Sequence, residues 1–119
     1  MPFKALLNAL VERVPGAQGA IIADWEGESV DHVGIMDDYD LKVIGAHKGV
    51  ILHNMREVVD RLGNDDLREI VVTTRQTQTL ILPVTKEYYL VLILDRSDML
   101  GRALLEARRC ILAVHKEIV

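Results

Sequence analysis

The chain has few of the residues that build disulfide, zinc and aromatic ligand sites. It contains one cysteine, Cys110, so neither an intrachain disulfide nor a cysteine-based zinc site is possible. Aromatic residues make up 4% of the chain, and 14 Lys and Arg residues are outnumbered by 18 Asp and Glu residues. The resulting net charge of −4 argues against non-specific binding to nucleic acid, which needs a basic surface.

Long apolar runs and targeting segments are also missing. No run reaches the roughly 20 residues that a membrane-spanning helix needs. Glu12 and Arg13 interrupt the first apolar stretch and no small-residue cleavage site follows, so we expect no secretory signal. Half of the 119 residues are hydrophobic, which indicates a folded chain. We expect one cytoplasmic domain spanning 1–119.

Motifs for chemistry are absent as well. The glycines in Gly45–Gly49 lie inside a helical pattern and lack the Lys-Ser or Lys-Thr of a phosphate loop; the dinucleotide fingerprint and the nucleophile elbow do not occur. His47 and His53 are six residues apart, which places them on different sides of a helix and disfavours a shared metal ion. Cys110 lies beside a buried helical stripe, as a core cysteine does. We therefore predict no enzymatic activity, no cofactor and no metal.

The pattern from Asp38 to Gly63 predicts one long helix around which the chain is organised. Asp40 can cap its first turn, and Gly63 is placed to end it. Its main apolar stripe recurs at helical spacing and consists of Leu41, Ile44, Ile51, Met55, Val58, Val59 and Leu62. A shorter second row contains Val43, Ala46 and Val50. Two rows predict packing on the chain's own sheet and on a further surface, which is either a second copy or another side of the same domain.

Five segments have strand character, two before the long helix and three after it. The run from Tyr88 to Leu94 is apolar without alternation, which predicts a central strand next to the similar run at Ala20–Ala23. Pro83 is expected at a strand end or a bulge. The strand at 69–73 carries Ile70, Val71 and Val72 in succession; as an edge strand it would be unprotected, which predicts pairing with another chain.

Shorter helical patterns begin and end the chain. Leu105 and Leu112 form a secondary row on the last helix that we expect to meet the first helix, and Glu106 is expected to face water. The order of elements is helix, strand, strand, helix, three strands, helix. It predicts an α+β fold, in which the long helix covers one face of a five-stranded antiparallel sheet and the two terminal helices cover the other.

The segment after the first helix resembles the opening motif of the roadblock/dynein light chain family, especially its bacterial MglB-like members. The motif V-x-G-x-x-G-a-x-x-x-D-x-x-G is matched by Val14, Gly16, Gly19, Ala20, Asp24 and Gly27. The resemblance covers nearly the whole chain and implies a profilin-like architecture. It also implies a homodimer joined through the strand at 69–73 and the helix at 40–62. Family members bind small Ras-like GTPases, serve as scaffolds or join motor complexes. The MglB-like ones act on a small bacterial GTPase as a dimer that reshapes its active site without supplying a catalytic arginine.

These considerations predict a dimeric regulator or scaffold of a small Ras-like GTPase, which stimulates GTP hydrolysis or only binds the GTP form. The alternatives are a small-ligand sensor domain and a structural subunit of a larger complex. Trp25 and Glu26 lie in an acidic turn, where Trp25 is expected to cover a sheet edge rather than stack on a ligand. The residues proposed to meet the GTPase or the second copy on the central helix are Val43, His47, Val50, Asn54, Glu57 and Arg61; those of the dimer edge are Ile70, Val71 and Val72.

Overall fold

The computed structural model describes residues 3–24, 29–95 and 100–118. Its elements follow the predicted order: α1 (Phe3–Arg13), β1 (Ala17–Asp24), β2 (Ser29–Gly34), α2 (Asp38–Arg61), β3 (Ile70–Thr73), β4 (Thr77–Pro83), β5 (Tyr88–Asp95) and α3 (Leu100–Ile118). The predicted turn with Trp25 and Glu26, and a helix cap predicted near Ser97 and Asp98, lie outside the described residues.

The five strands form one antiparallel sheet in the order β2-β1-β5-β4-β3. β5 lies at the centre, between β1 and β4, as its uninterrupted apolar run predicted. Its residues from Tyr89 to Leu94 are all buried. Pro83 is the last residue of β4, also as predicted, because a proline cannot donate to the hydrogen-bond ladder.

Helices cover both faces of the sheet, which confirms the predicted α+β architecture. One cluster packs α1 and α3 against side chains such as Ile22, Leu90 and Leu92. The other packs α2 against the alternate residues of the same strands, including Ile21 and Val91. Since successive side chains of a strand point to opposite faces, the central strands must be apolar throughout.

The apolar stripe predicted on α2 is wrong in part. Leu52, which the pattern omitted, is fully buried, whereas Met55, Val58 and Leu62 are exposed. The reason is a pair of glycines one turn apart, Gly45 and Gly49, which lie against the sheet. A Cβ atom at Gly49 would approach the Tyr89 hydroxyl oxygen to 2.2 Å, and one at Gly45 would lie 3.3 Å from Ile21 Cδ1. The helix backbone therefore contacts the sheet and turns the longer side chains away from it.

Two expectations for α3 are also wrong. Leu105 and Leu112 do not meet α1 but are exposed. Glu106 is buried instead of facing water, and its carboxylate contacts Arg109 at 3.0 Å and Arg13 at 3.9 Å. Arg13 belongs to the last turn of α1, so Glu106 lies at the contact between the two helices. The buried row of α3 consists of Ala103, Ala107, Cys110 and Val114.

Two glycines follow the ends of helices, and the one at Gly63 was predicted. Gly63 follows α2 with a φ of +97°, and Gly16 follows α1 with a φ of +85°. Both angles lie in the left-handed region, which glycine adopts without a steric penalty. The carbonyl of Gly16 then accepts a 2.9 Å hydrogen bond from the amide of Asp95 and ties the start of β1 to the end of β5.

Candidate partner-binding surfaces

The outward side of α2 carries the six residues that the sequence selected. They recur at alternating spacings of four and three, so they form one ridge along the helix. Val43 and Val50 are its exposed apolar members. The polar members His47, Asn54, Glu57 and Arg61 are exposed as well, and a carboxylate oxygen of Glu57 lies 3.3 Å from Nε2 of His53. The structure thus brings these six residues together on one accessible surface.

A second apolar row lies beside this ridge, which the sequence pattern had assigned to the buried stripe. Its exposed members are Met55 and Val58 on α2 and Leu62, which directly follows the helix. Single exposed apolar residues are normal on a protein surface, but a row along one helix indicates a contact surface. The glycine pair at 45 and 49, together with Leu52, is the sequence feature that could have placed the buried face correctly.

Tyr89 fixes the position of α2 on the sheet. Its side chain is fully buried, and its hydroxyl donates a 2.8 Å hydrogen bond to the carbonyl oxygen of Gly45. Burial, with a smaller contribution from the charge of Asp24, raises the pKa of Tyr89 to about 12. The phenol therefore stays protonated and keeps its hydrogen bond at neutral pH.

β3 is an edge strand with an unprotected outer side. The Thr74 amide bonds to the Thr77 carbonyl, so by alternation the amides of Val72 and Ile70 also point toward β4, while those of Val71 and Thr73 point outward. Ile70 and Val72 pack against the cluster under α2, and Val71 is 38% exposed on the other face. No charged side chain occurs within this strand. The predicted edge residues therefore lie where a further strand can be added.

β2, at the opposite edge of the sheet, is partly protected by a charged side chain. The amide of Ile35 bonds to the carbonyl of Gln18, which by alternation leaves the amide of His32 pointing outward. The carboxylate of Asp31 accepts a 3.0 Å hydrogen bond from that amide. A charged side chain that occupies an edge amide disfavours strand addition. Among the described strands the two edges thus differ: β3 carries no charged side chain and presents the amides of Val71 and Thr73, whereas at β2 one outward amide is occupied by Asp31 and the other is that of Gly34.

An open groove of about 750 Å³ lies at the end of the sheet where β4 turns into β5. It is bounded by the C-terminal half of α2, by the segment before β3 and by α3. Arg108 crosses one side and binds Glu69 through two hydrogen bonds of 2.6 and 3.2 Å. The apolar part of its wall includes Leu67, Val84 and Ile111.

Among the described residues, no group of three or more His, Cys, Asp or Glu side chains is arranged to hold a metal ion. Burial raises the pKa of the Cys110 thiol to about 11, which keeps it protonated and unreactive at neutral pH. Its Sγ atom contacts the carbonyl of Leu6 at 3.9 Å, as a core cysteine does. No described helix combines the length and apolarity needed to cross a membrane.

The chain belongs to the Roadblock/LC7 domain family, whose model matches residues 4–94. No curated protein matches it. Among solved structures, a Roadblock/LC7 domain from Streptomyces avermitilis is 20% identical, with 96% of this chain and 95% of that chain covered and a TM-score of 0.88. MglB from Myxococcus xanthus is 15% identical, with 99% and 95% covered and a TM-score of 0.89. A structure described as MglB with a tetrameric arrangement is 18% identical, with 96% and 85% covered and a TM-score of 0.85. These likenesses establish the roadblock fold that the sequence predicted.

Proposed function

We propose that this protein is a non-enzymatic, dimeric regulator or scaffold of a small Ras-like GTPase. The observation that carries the proposal is the unprotected β3 edge together with the apolar row on α2, two surfaces that a second copy would cover. Membership of the roadblock family and the likeness to MglB support it. The assembly named for one similar MglB structure, a tetramer, supports self-association.

Strand pairing is the first part of the proposed dimer. When β3 pairs antiparallel with β3 of a second copy, the outward amides of Val71 and Thr73 gain acceptors and the two sheets become continuous. The Asp31 contact at β2 occupies one outward amide of the opposite edge and disfavours strand addition there. The arrangement is isologous, so the same strand serves both copies.

Helix packing is the second part. The exposed row of Met55, Val58 and Leu62 becomes covered when the α2 helices of the two copies pack together. Burial of apolar area stabilises by about 25 cal/mol per Å², so three such side chains on each copy contribute substantially to the dimer. The ridge with Val50, Asn54 and Glu57 then lies on the composite surface of the two helices.

The paired α2 helices are the proposed docking site for the GTPase. The ridge combines apolar and charged members, a composition that suits a reversible interface. The protein supplies no catalytic residue in this account; it acts by the shape of the surface that it presents to the GTPase active site. The small-ligand sensor alternative needs a pocket between α2 and the sheet, but that interface is filled by Ile21, Leu52 and Tyr89.

Affinity capture of binding partners from the native lysate with the tagged protein tests this function. The capture is run in parallel with a non-hydrolysable GTP analogue and with GDP. We expect a small Ras-like GTPase to be enriched only with the analogue. Glu57→Arg on the α2 ridge should abolish the enrichment, because it reverses a charge at the centre of the proposed site. Glu117→Arg, an equal charge change on the exposed end of α3, is the matched control and should not. Recovery of no GTPase in either nucleotide state contradicts the proposal.

A further inference from the structure

A second exposed apolar pair lies on α3, on the opposite side of the sheet from α2. Leu105 and Leu112 are 47% and 67% exposed, and neither belongs to the apolar cluster that α1 and α3 form with the sheet. They are seven residues apart, so they lie on the same side of the helix, two turns from each other. The proposed dimer and the GTPase site use β3 and α2, which leaves this face of α3 free.

The most exposed charged groups around the two leucines are basic. Arg108 is 57% exposed while its partner Glu69 is 26% exposed, and Arg109 is 62% exposed while its partner Glu106 is 6% exposed. The carboxylates thus lie beneath the guanidinium groups. Two further exposed cations on α3, Arg102 and Lys116, share this side by helical spacing. Solvent therefore meets a basic surface on a chain whose net charge is −4.

The groove at the end of the sheet extends this surface. Leu112 and Ile111 form its α3 side, and Leu67 and Val84 lie across from them. Arg68 and Lys86 also line the groove, together with acidic residues. The apolar contact area beside the two leucines is therefore larger than the leucines alone provide.

We propose that the solvent face of α3 binds an acidic amphipathic helix of a partner protein. Two leucines at heptad spacing accept the apolar row of a second helix, as the same position of successive heptads does in a coiled coil. Arg109 and Lys116 follow Leu105 and Leu112 by four residues each, where they flank such a contact and meet acidic side chains. Exposed ion pairs contribute little energy singly, but together they select the acidic partner and its orientation.

A designed peptide provides the probe for this surface. It is about three heptads long, with leucine at each a position, alanine at d and glutamate at e and g, a pattern that keeps it from pairing with itself. We expect the labelled peptide to bind the full-length protein in fluorescence anisotropy, with affinity that falls as salt rises, since the exposed charges are screened. A peptide with lysine in place of glutamate should not bind.

Two variants locate the binding. Leu112→Glu should weaken peptide binding by about tenfold or more, because it removes an apolar anchor and adds an anion. Ile35→Glu makes the same chemical change at an exposed position far from α3 and should leave binding unchanged. Circular dichroism of both variants checks that the fold is intact. Unchanged affinity in Leu112→Glu, or equal binding of the lysine peptide, overturns the proposal.

Other occupants give different results. If phosphatidylserine vesicles sediment the protein in a Leu112-dependent way while the acidic peptide does not bind, the face is a membrane-binding surface and the proposed helix is wrong. If the Leu112→Glu variant has a lower molar mass than the parent in light scattering, this face of α3 is an interface between copies. That result also overturns the proposed binding of an acidic helix. None of these outcomes depends on the GTPase-capture experiment, so the two proposals fail separately.

Discussion

The hydroxyl of Tyr89 donates a 2.8 Å hydrogen bond to the carbonyl of Gly45, and Gly49, one turn further, lies directly over the same hydroxyl. This relationship decides how α2 is rotated on the sheet. With glycine at both positions the helix backbone approaches the buried phenol closely. Val50 and Val58 consequently point outward, which creates the surface that the proposed function uses.

The close approach predicts that Gly49→Ala destabilises the fold. The added Cβ would lie 2.2 Å from the Tyr89 hydroxyl oxygen, so helix and ring must separate. Overpacking of this kind typically costs about 1–3 kcal/mol in the free energy of unfolding, measured by urea denaturation. Gly101→Ala is the control: nothing lies within 4 Å of its Cβ position, so its stability should be unchanged or up to about 1 kcal/mol higher. Equal effects of the two variants would disprove the close contact.

The buried phenol predicts a loss of stability in alkali. Burial raises the pKa of Tyr89 in the folded protein to about 12, above the ordinary tyrosine value of 10.0, so folding favours its protonated form. Its contribution to stability is complete below pH 10 and is lost as the pH rises through 12. The Cys110 thiol, whose folded pKa is about 11, acts in the same direction, so the experiment uses a Cys110→Ala background.

In that background, urea denaturation at a series of pH values compares Tyr89 with Tyr89→Phe. The variant should be less stable by about 1 kcal/mol at neutral pH, because the hydrogen bond to Gly45 is lost. Its stability should then fall less steeply than that of the parent between pH 10 and 12. Parallel curves over this range would show that Tyr89 ionises as easily when folded as when unfolded.

The sequence predicted the fold well because the strands are marked by composition. The apolar run at Tyr88–Leu94 does not alternate with polar residues, so its side chains are buried only if both faces of the strand are covered. β5 is indeed the central strand of the sheet. Pro83 and Gly63 ended their elements as expected. The opening motif from Val14 pointed to the family that the comparisons confirm.

Side-chain orientation on the helices was predicted less well. The prediction for α2 used only the helical spacing of apolar residues, and glycine was not counted among them. It therefore missed that Gly45, Gly49 and Leu52 form the side of α2 that contacts the sheet. Glu106 is buried between α1 and α3 because it contacts Arg13 of the other helix. The residue spacing along a single helix cannot predict such a tertiary contact.

Strand pairing between copies predicts slow amide exchange at the outer side of β3. In the dimer the amides of Val71 and Thr73 should exchange with deuterium as slowly as those of Ile70 and Val72, which bond within the sheet. Site-resolved NMR measures each rate. The measurement is made at a concentration where the protein is dimeric. If the amides of Val71 and Thr73 then exchange as fast as exposed amides do, the dimer interface lies elsewhere.

The apolar row of α2 predicts a charge-sensitive dimer. Val58 is exposed in one copy and covered in the proposed dimer, so Val58→Glu should weaken association by about tenfold or more, which corresponds to about 1.4 kcal/mol. The thermal stability of the monomer should change little. Ile35→Glu supplies the matched control at a more exposed position. Sedimentation equilibrium gives both association constants, and equal values would remove α2 from the interface.

Molar mass in solution tests the central claim, association through β3, most directly. For the parent, light scattering should give twice the 13.4 kDa chain mass, or a multiple of that dimer mass. The control variant Val71→Thr keeps the outward amide and should have the same mass as the parent. Val71→Pro removes an amide that makes no bond within the sheet, and proline is tolerated at such edge positions. This variant should fold and have a mass of 13.4 kDa. A monomeric parent, or a folded Val71→Pro variant with the parent's mass, would contradict the account.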